Sequence, residues 1–570
     1  MKKINLLLIA IFCAGAFLSS CSLEETPYEV DESYVTGADV SEALLLGIYQ
    51  KLGTDGIYRQ NLPFIFNLPT DESKTSGENL TAQRTEGSNA FTSSSSYVQD
   101  TWKALYSAIY DANYFIDLME RKMPNFSQKD QEQCAYFVAE AKALRGLLYF
   151  ELVRWFGNVP IVLSPSESYR KPEEFVQASP EKVYEQIEQD LTDALGVLPY
   201  VTEDTVRKKT AFRISRGGVL GLLTKVYATW AGYPVKDETK WQKAVNTAEE
   251  LINEGPHGLL SDFEQLWKNS GSNKWDPKES LLELSYWSPL STFESCGRVG
   301  VVNGVRATKG GFRNGDHTHA VFYNFHPTFL TSWEGWENDR RFSLTYADYM
   351  YKPEGKVNVT TKKVDGVSGT GVTFLMAWQW KDQHKDWREN WRFEYCYLLT
   401  NQKWDTEKYV PDENYQVNSN YSNVNWYLLR YADVLLLYAE ALNELNDGPT
   451  TAAYDAINMV RRRGYGLKID AESDLADLTP GLTYKQFRDA VRNERAWELA
   501  SEGHRRQDLV RWGIYYEKVM ETYVSLKDWY VNAQRYFIGG EYTVKGRHEL
   551  LPIPQREIDL CGYKQNPGWM

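Results

Sequence analysis

Apolar residues recur at intervals of three and four in two blocks of the chain. In the first block, "TWKALYSAIYDANYFIDLME" places Trp102, Leu105, Ile109, Ala112, Ile116 and Met119 on one helical face. "EAKALRGLLYFELVRWFGNVPIV" continues with Leu144, Leu148, Leu152 and Trp155, then stops where Gly157 suits a left-handed cap and Pro160 cannot extend a helix. The same period predicts helices over Ser179 to Leu198, Ser215 to Gly232 and Trp241 to Glu254. The second block opens with "NWYLLRYADVLLLYAEALNELNDGP", whose stripe is Leu428, Tyr431, Leu435, Tyr438, Leu442 and Leu445, ended by Gly448 and Pro449. Tyr454 to Arg463 and Tyr484 to Glu502 complete the helices. Alanines at close-contact positions (Ala228, Ala439, Ala441) suit tightly packed pairs. The fold class expected is therefore mainly α, a tetratricopeptide-like helix-pair superhelical scaffold, although the roughly 34-residue period of that repeat does not survive.

The middle, residues 255–426, has no such period. It is rich in Gly, Ser and Asn, contains strand-like pieces ("ESLLELSYW", "VNVTTKKV"), and holds tryptophans 267, 275, 287, 333, 336, 378, 380, 387, 391, 404 and 426, more than half of the chain's 19. Many stand beside charges and amides, as in "AWQWKDQHKDWRENWRF", so some are expected to be exposed or to line a groove. No convincing Pro, Gly or Ser linker divides the chain, which predicts one domain over 37–570: helical scaffold in 37–254 and 427–570, and a large irregular, loop-rich and partly β region in 255–426 as the ligand-binding part.

The N-terminus starts with Lys2 and Lys3 and an apolar run from Ile4 to Phe17, too short for a membrane span, and predicts a signal peptide over 1–20. It ends in "LSSC", which resembles a bacterial lipobox with Cys21 as the lipidated first residue of the mature chain. At about 0.8 kcal/mol per buried methylene, several acyl chains hold a protein stably to a membrane. The acidic, unpatterned run after Cys21, to residue 36, reads as a tether. The remaining cysteines Cys134, Cys296, Cys396 and Cys561 have no paired spacing, so neither a zinc site nor a disulfide framework is indicated. A net charge of −14 argues against nucleic acid and anionic surfaces as partners. No phosphate-cradling G-x-x-x-x-G-K loop is present and no cofactor is expected.

One stretch invites an enzyme reading. "NERAWELASEGHRRQDLVRW" gathers Glu494, Glu498, Glu502, His504, Arg505, Arg506 and Asp508, the parts a hydrolase uses. Helical spacing instead sets Arg495 beside Glu498, Glu498 beside Glu502, and Glu502 beside Arg505 and Arg506 as a ladder of alternating charge. Glu494 falls within the apolar stripe of Phe487, Val491 and Trp497, where a carboxylate needs a partner, and arginine is the expected one.

Six motifs in order carry a resemblance: "TWKALYSAIYDAN", "EAKALRGLLYFELVRWFGNVPIV", "LLRYADVLLLYAEALNE", "INMVRRRG", "ERAWELASEGHRRQDLVRWG", and the tail "LPIPQREI" with "QNPGW". Behind a lipobox, they make the chain similar to the SusD/RagB family of outer-membrane nutrient-binding lipoproteins. His504 and Gln507 depart from the aromatic residue that the family more often has after the arginine. The resemblance implies a binding protein and not an enzyme, with Glu494, Glu498, Glu502, Arg505 and Asp508 pairing with one another and with arginines among Arg461 to Arg463. It implies capture of an oligosaccharide, or in some members a peptide, and delivery to a SusC-like TonB-dependent transporter under the lipoprotein as a hinged lid. Glu24 and Glu25 resemble the acidic signal for display outside the outer membrane.

For a neutral glycan, aromatic faces beside amide, carboxylate and arginine groups in loops are the expected chemistry. Candidates are Trp287 and Phe293 (with Tyr286), then Phe312, Arg313, Asn314, Asp316 and Tyr323, and, where the family commonly adds a third loop, Asn89 and Phe91. Asp316, His317 and His319 in "GDHTH" also offer two metal ligands on one side of a strand, too thin a set to predict a metal. The competing class, a surface glycoside hydrolase, would pair carboxylates such as Glu334 and Asp339. The resemblance instead implies a structural ion pair of Asp339 with Arg340 or Arg341.

Overall fold

The computed structural model describes residues 32–76, 79–203, 212–287, 295–313, 318–347, 349–352, 355–358, 399–527 and 539–569. Its frame is a series of packed helix pairs. α1 (Ala38–Leu52) lies against α2 (Ser96–Lys122) and α3 (Gln128–Phe156), and α3 packs along α4 (Pro180–Leu195). α5 (Arg216–Trp230) pairs with α6 (Lys240–Glu254); both touch α7 (Tyr431–Leu445), which pairs in turn with α8 (Thr451–Gly464) and α9 (Tyr484–Glu498). α10 (Arg505–Arg511), α11 (Tyr515–Lys527) and α12 (Gln555–Cys561) follow.

Local chemistry fixes the helix ends. Ser95 and Ser127 accept hydrogen bonds from the amides of Val98 and Asp130, and Thr483 with Gln486 forms a reciprocal capping box. α3 stops at Gly157, whose φ of +70° suits glycine, and a Cβ there would stand 2.9 Å from Leu550. The predicted stripes of α2 and α3 are buried throughout. α7 is buried from Tyr431 to Asn443 on every side, which explains its nearly unbroken apolar run.

Two predicted boundaries move. The helical stripe that the sequence starts at Leu428 begins in a strand, Trp426–Arg430, antiparallel to Ser280–Leu284, with Trp426 opposite Leu284 and Arg430 opposite Ser280. The helix starts only at Tyr431, because the preceding backbone groups bond across the strand pair instead of along a helix. The helix expected to run to Glu502 stops at Glu498, and the chain then turns through Ser501 (φ +60°) and Gly503 (φ +78°) before α10. "ESLLELSYW" does supply a strand, Ser280–Leu284; of "VNVTTKKV" only Val357 and Asn358 lie among the described residues, at the end of the strand Gly355–Asn358. A short ladder ties the irregular part to the frame, Ser73–Thr75 pairing with Tyr323–Phe325, and within the irregular part Tyr349–Lys352 pairs with Gly355–Asn358.

One apolar cluster runs through both helical blocks, and a second, with Phe325, Trp333, Phe342, Trp497, Leu509 and Tyr515, joins the middle to α9, α10 and α11. Among the described residues no helix is long and apolar enough to cross a membrane.

Candidate functional site

The charge-rich stretch proves to be the centre of the frame. Glu498 receives Arg463 at 2.6 Å, Arg341 at 3.0 Å and Arg430 at 3.0 Å; Arg341 also holds Asp339 at 2.7 Å and Glu494 at 2.6 Å. Arg430 continues to Glu279 and Glu502, Arg463 to Glu279, Arg461 to Glu494, and Lys403 to Glu502. Charges balance, with Arg341, Lys403, Arg430, Arg461 and Arg463 against Glu279, Asp339, Glu494, Glu498 and Glu502. A second network links Lys225, Arg495 and Arg511 to Asp433, Asp508 and Glu440.

Burial works to raise the Glu498 pKa, but Arg463, Arg430 and Arg341 together hold it well below the carboxylate range. Burial beside Lys225 keeps His504 neutral far below its ordinary pKa, and its Nδ1 accepts from Lys225 Nζ at 2.9 Å. Most of these side chains are buried and paired with one another, unlike a catalytic pair poised at a cleft. The expected ladder within the stretch is corrected: Arg495 pairs with Asp433 and Asp508 in place of Glu498, and Glu502 with Lys403 and Arg430 in place of Arg505 and Arg506. Because the helix breaks after Glu498, Arg505 turns to Asp71 at 2.6 Å, and Arg506 donates to the carbonyls of Leu68 and His548.

The aromatic and amide candidates fall into three groups. Asn89, Phe91, Phe312 and Tyr323 are buried in the framework. Asn89, at φ +59°, donates to Tyr515 and Thr543 and accepts from Arg506, while Phe91 packs on Trp569 with ring centroids 5.1 Å apart. Tyr323 donates to Glu72 at 2.8 Å, and Phe312 lies 4.2 Å from the His319 ring. No ring face among these is open to a ligand. Arg313 and Trp287 reach the surface. Arg313 is held to the Asp405–Val410 turn by the carbonyls of Glu407 and Val410 and by the carboxylates of Glu407 and Asp412, with its guanidinium 4.3 Å from the Tyr415 ring centre. Trp287 is 36 % exposed. Phe293, Asn314, Asp316 and His317, like Cys21, Glu24 and Glu25, lie outside the described residues.

His319 is buried, with Nε2 at 3.1 Å from the Asn418 carbonyl. Among the described residues no group of three or more His, Cys, Asp and Glu side chains converges as a metal site would. Asp339 caps the helix Arg340–Thr345, accepts from Trp333 Nε1 at 3.0 Å and pairs with Arg341, whereas Glu334 is exposed. Of the middle tryptophans, 267, 333, 404 and 426 are core, packed ring on ring, and 275, 287 and 336 keep part of their surface in solvent.

Around Tyr286, next in the chain to Trp287, the structure brings together loops that lie far apart in sequence. Tyr286 folds its ring over Gly297 and Gly53, where added Cβ atoms would stand 2.5 Å and 3.4 Å from ring atoms. The loops of Gly53 and Gly297 carry two further polar groups. Asp55, just past α1, accepts from Arg298 Nη2 at 3.2 Å and lies 3.8 Å from Arg59 Nε, and the Arg298 guanidinium is 5.3 Å from the Tyr421 ring centre. Burial, then the negative charge of Glu86, pushes the hydroxyl of neighbouring Tyr97 above its ordinary pKa, so it stays a donor. Half-exposed rings beside guanidinium donors and one carboxylate acceptor can stack on and hydrogen-bond a polyhydroxylated ligand. Asp55 and Arg298 are far apart in the chain, so spacing carried no sign of the pair.

Comparison with known proteins fits this architecture. Residues 235–569 match the model described as the SusD family, and residues 23–228 match one described as "Starch-binding associating with outer membrane". A SusD homolog from Bacteroides thetaiotaomicron, solved by crystallography, superposes with a TM-score of 0.87 at 44 % identity, covering 96 % of this chain and 100 % of its own. SusD-like protein P25 of Formosa agariphila is 26 % identical over 98 % of this chain and 97 % of its own length. A laminarin-binding SusD-like protein shares the fold, with a TM-score of 0.66 at 24 % identity over 94 % of this chain and 100 % of its own.

Proposed function

This chain belongs to the SusD family, and from that footing we propose that it is a glycan-binding lipoprotein of the outer membrane, displayed on the cell exterior, that hands oligosaccharides to a SusC-like TonB-dependent transporter. The observation that carries the reading is the loop-bearing face, where Trp287 is exposed next in the chain to Tyr286, whose ring covers Gly53 and Gly297, and where Arg298 pairs with Asp55 and lies over the Tyr421 ring. Phe293, Arg313, Asn314 and Asp316 are proposed as further members of the site. The match to a model described as starch-binding and the laminarin bound by a structural relative support a carbohydrate in place of a peptide. The role is capture: the carboxylates a hydrolase would need are, for Asp339, Glu494 and Glu498, locked in buried ion pairs.

Calorimetry of the purified chain against panels of plant, host and fungal oligosaccharides and of peptides tests the ligand class. Saturable binding of a glycan, weakened by Trp287→Ala, is expected. Binding by peptides alone, or sustained release of reducing ends from a polysaccharide, would refute it. Cys21→Ala should leave the chain unprocessed or released from membranes, and mild detergent should recover the parent with a barrel transporter; retention of the variant, or recovery of a lone monomer, would remove those parts of the proposal.

A further inference from the structure

A groove with a cavity volume of about 530 Å³ lies between one face of α2, the segment 160–175 and α12, and shares no residue with the loop-bearing face. The volume falls within the roughly 300–1,000 Å³ of small-molecule sites, a concave shape in place of a flat docking surface. Its walls are aromatic. Tyr106 and Tyr110 stand four residues apart on α2, which sets their side chains about 6 Å apart along the helix axis, and Phe175 lines the same hollow. Tyr106 is fixed by its hydroxyl, which donates to the Pro160 carbonyl at 2.8 Å, and by Trp102 behind it, ring centres 5.0 Å apart. Tyr110 keeps 39 % of its surface in solvent.

The polar groups are of both signs. Gln99 donates to Glu557 Oε1 at 3.1 Å, tying α2 to α12, and Lys103 and Arg556 line the groove with no carboxylate partner among the described residues. An anionic ligand would meet Glu557 as well as the two cations, and a purely aliphatic one would make no use of the polar groups at the groove. Ring faces at helical spacing, with donors and an acceptor beside them, match a neutral pyranose chain, which offers C–H faces to tyrosine and hydroxyls to its neighbours.

We propose that this groove is a second glycan subsite, taking two or three neutral pyranose units. It rests on the glycan-binding reading above and extends it: two sites on one chain raise the effective concentration of a long glycan at each. The test uses the full-length chain in detergent, labelled with 3-fluorotyrosine, with the Tyr110 resonance identified by its loss in Tyr110→Phe. Laminaritriose and maltotriose, a β-linked and an α-linked glucan trimer, are the probes. Tyr110 should shift saturably with at least one of them, in the Trp287→Ala chain as in the parent. A Tyr110→Ala, Phe175→Ala chain, read by calorimetry with an unchanged melting transition as its control, should lose about tenfold or more in the affinity that survives Trp287→Ala. A Tyr110 signal unmoved by both trimers overturns the inference, whatever the loop face binds. A signal moved only by a second copy of the chain or by a transporter makes the groove a protein contact and overturns it too. If Tyr110 responds while no binding depends on Trp287, the groove stands and the loop-face placement falls.

Discussion

Two regions of this molecule use the same residue types to opposite ends. In the scaffold, arginines and carboxylates are buried, balanced and multiply bonded, as around Glu498, and aromatic rings such as Trp333 and Trp497 stack on one another. On the loop-bearing face, Asp55 and Arg298 meet at the rim and Trp287 keeps over a third of its surface in water. Composition does not separate a structural charge cluster from a binding one; solvent access and the number of partners do. A buried pair that loses one member strands the other, whereas an exposed pair loses little.

That contrast makes a large quantitative claim. Glu498→Ala leaves Arg341, Arg430 and Arg463 facing one another in the core and should destabilise the chain by about 3–5 kcal/mol, read from the midpoint of denaturant unfolding. A loss under about 1 kcal/mol would mean that the network is optional and that the frame is held by its apolar contacts alone.

Acidity probes the same interior from another side. Burial raises Glu283 to about 8 and Glu72 to about 7, so both are protonated in the folded chain over a range where they would ionise unfolded, and the stability they bring is lost as pH climbs from about 4.5 through those values. Burial lowers His326 and His548 to about 3, and lowers His257 and His504 as well; their share is present above about 6.5 and lost below it as the unfolded chain takes up protons. Among these six groups the four histidines outweigh the two carboxyls between about 4.5 and 6.5, and above 6.5 the carboxyls take over. The melting temperature should therefore peak near pH 6.5 and fall toward pH 8, and Glu283→Gln should remove on the order of 1–2 kcal/mol of that alkaline loss. A variant as pH-sensitive as its parent would show that Glu283 is ionised in the fold.

Much of the frame could be read from periodicity, because α2, α3 and α7 bury stripes or whole surfaces that the three-and-four spacing reports directly. The break at Ser501 and Gly503 was not, since Glu494 to Asp508 keeps helical charge spacing straight through the turn. Asn89 and Phe91 look like loop residues in sequence but are claimed by Tyr515, Thr543 and Trp569, all distant in the chain. A composition rule that places aromatics of Gly- and Asn-rich loops at the surface fails when the loops themselves fold back as core. Trp287 escapes because the ring folded over Gly53 and Gly297 belongs to its neighbour Tyr286, and the tryptophan remains exposed.

On the loop face the effects move from stability to binding. Trp287→Ala should cost about 1–3 kcal/mol of glycan affinity by calorimetry, by analogy with aromatic stacking of bases, and leave the unfolding midpoint close to that of the parent. Unchanged affinity would place the site elsewhere.

Arg298 gives the smallest change and the finest discrimination. Its pair with Asp55 is open to water, with side chains 22 % and 46 % exposed, so Arg298→Ala should shift unfolding by less than about 1 kcal/mol. A shift as large as that of Glu498→Ala would erase the distinction between the two regions. Binding reports the ligand's charge as well. If Arg298 donates hydrogen bonds to hydroxyls of a neutral glycan, the parent's affinity should hardly respond to ionic strength, and the variant should lose a similar factor at low and at high salt. An acidic glycan would instead bind more weakly as salt screens its attraction to Arg298 and Arg59, and the variant's deficit would shrink as salt is raised. Calorimetry at two ionic strengths separates the outcomes, and a salt-sensitive parent would replace the neutral sugar proposed here with a charged one.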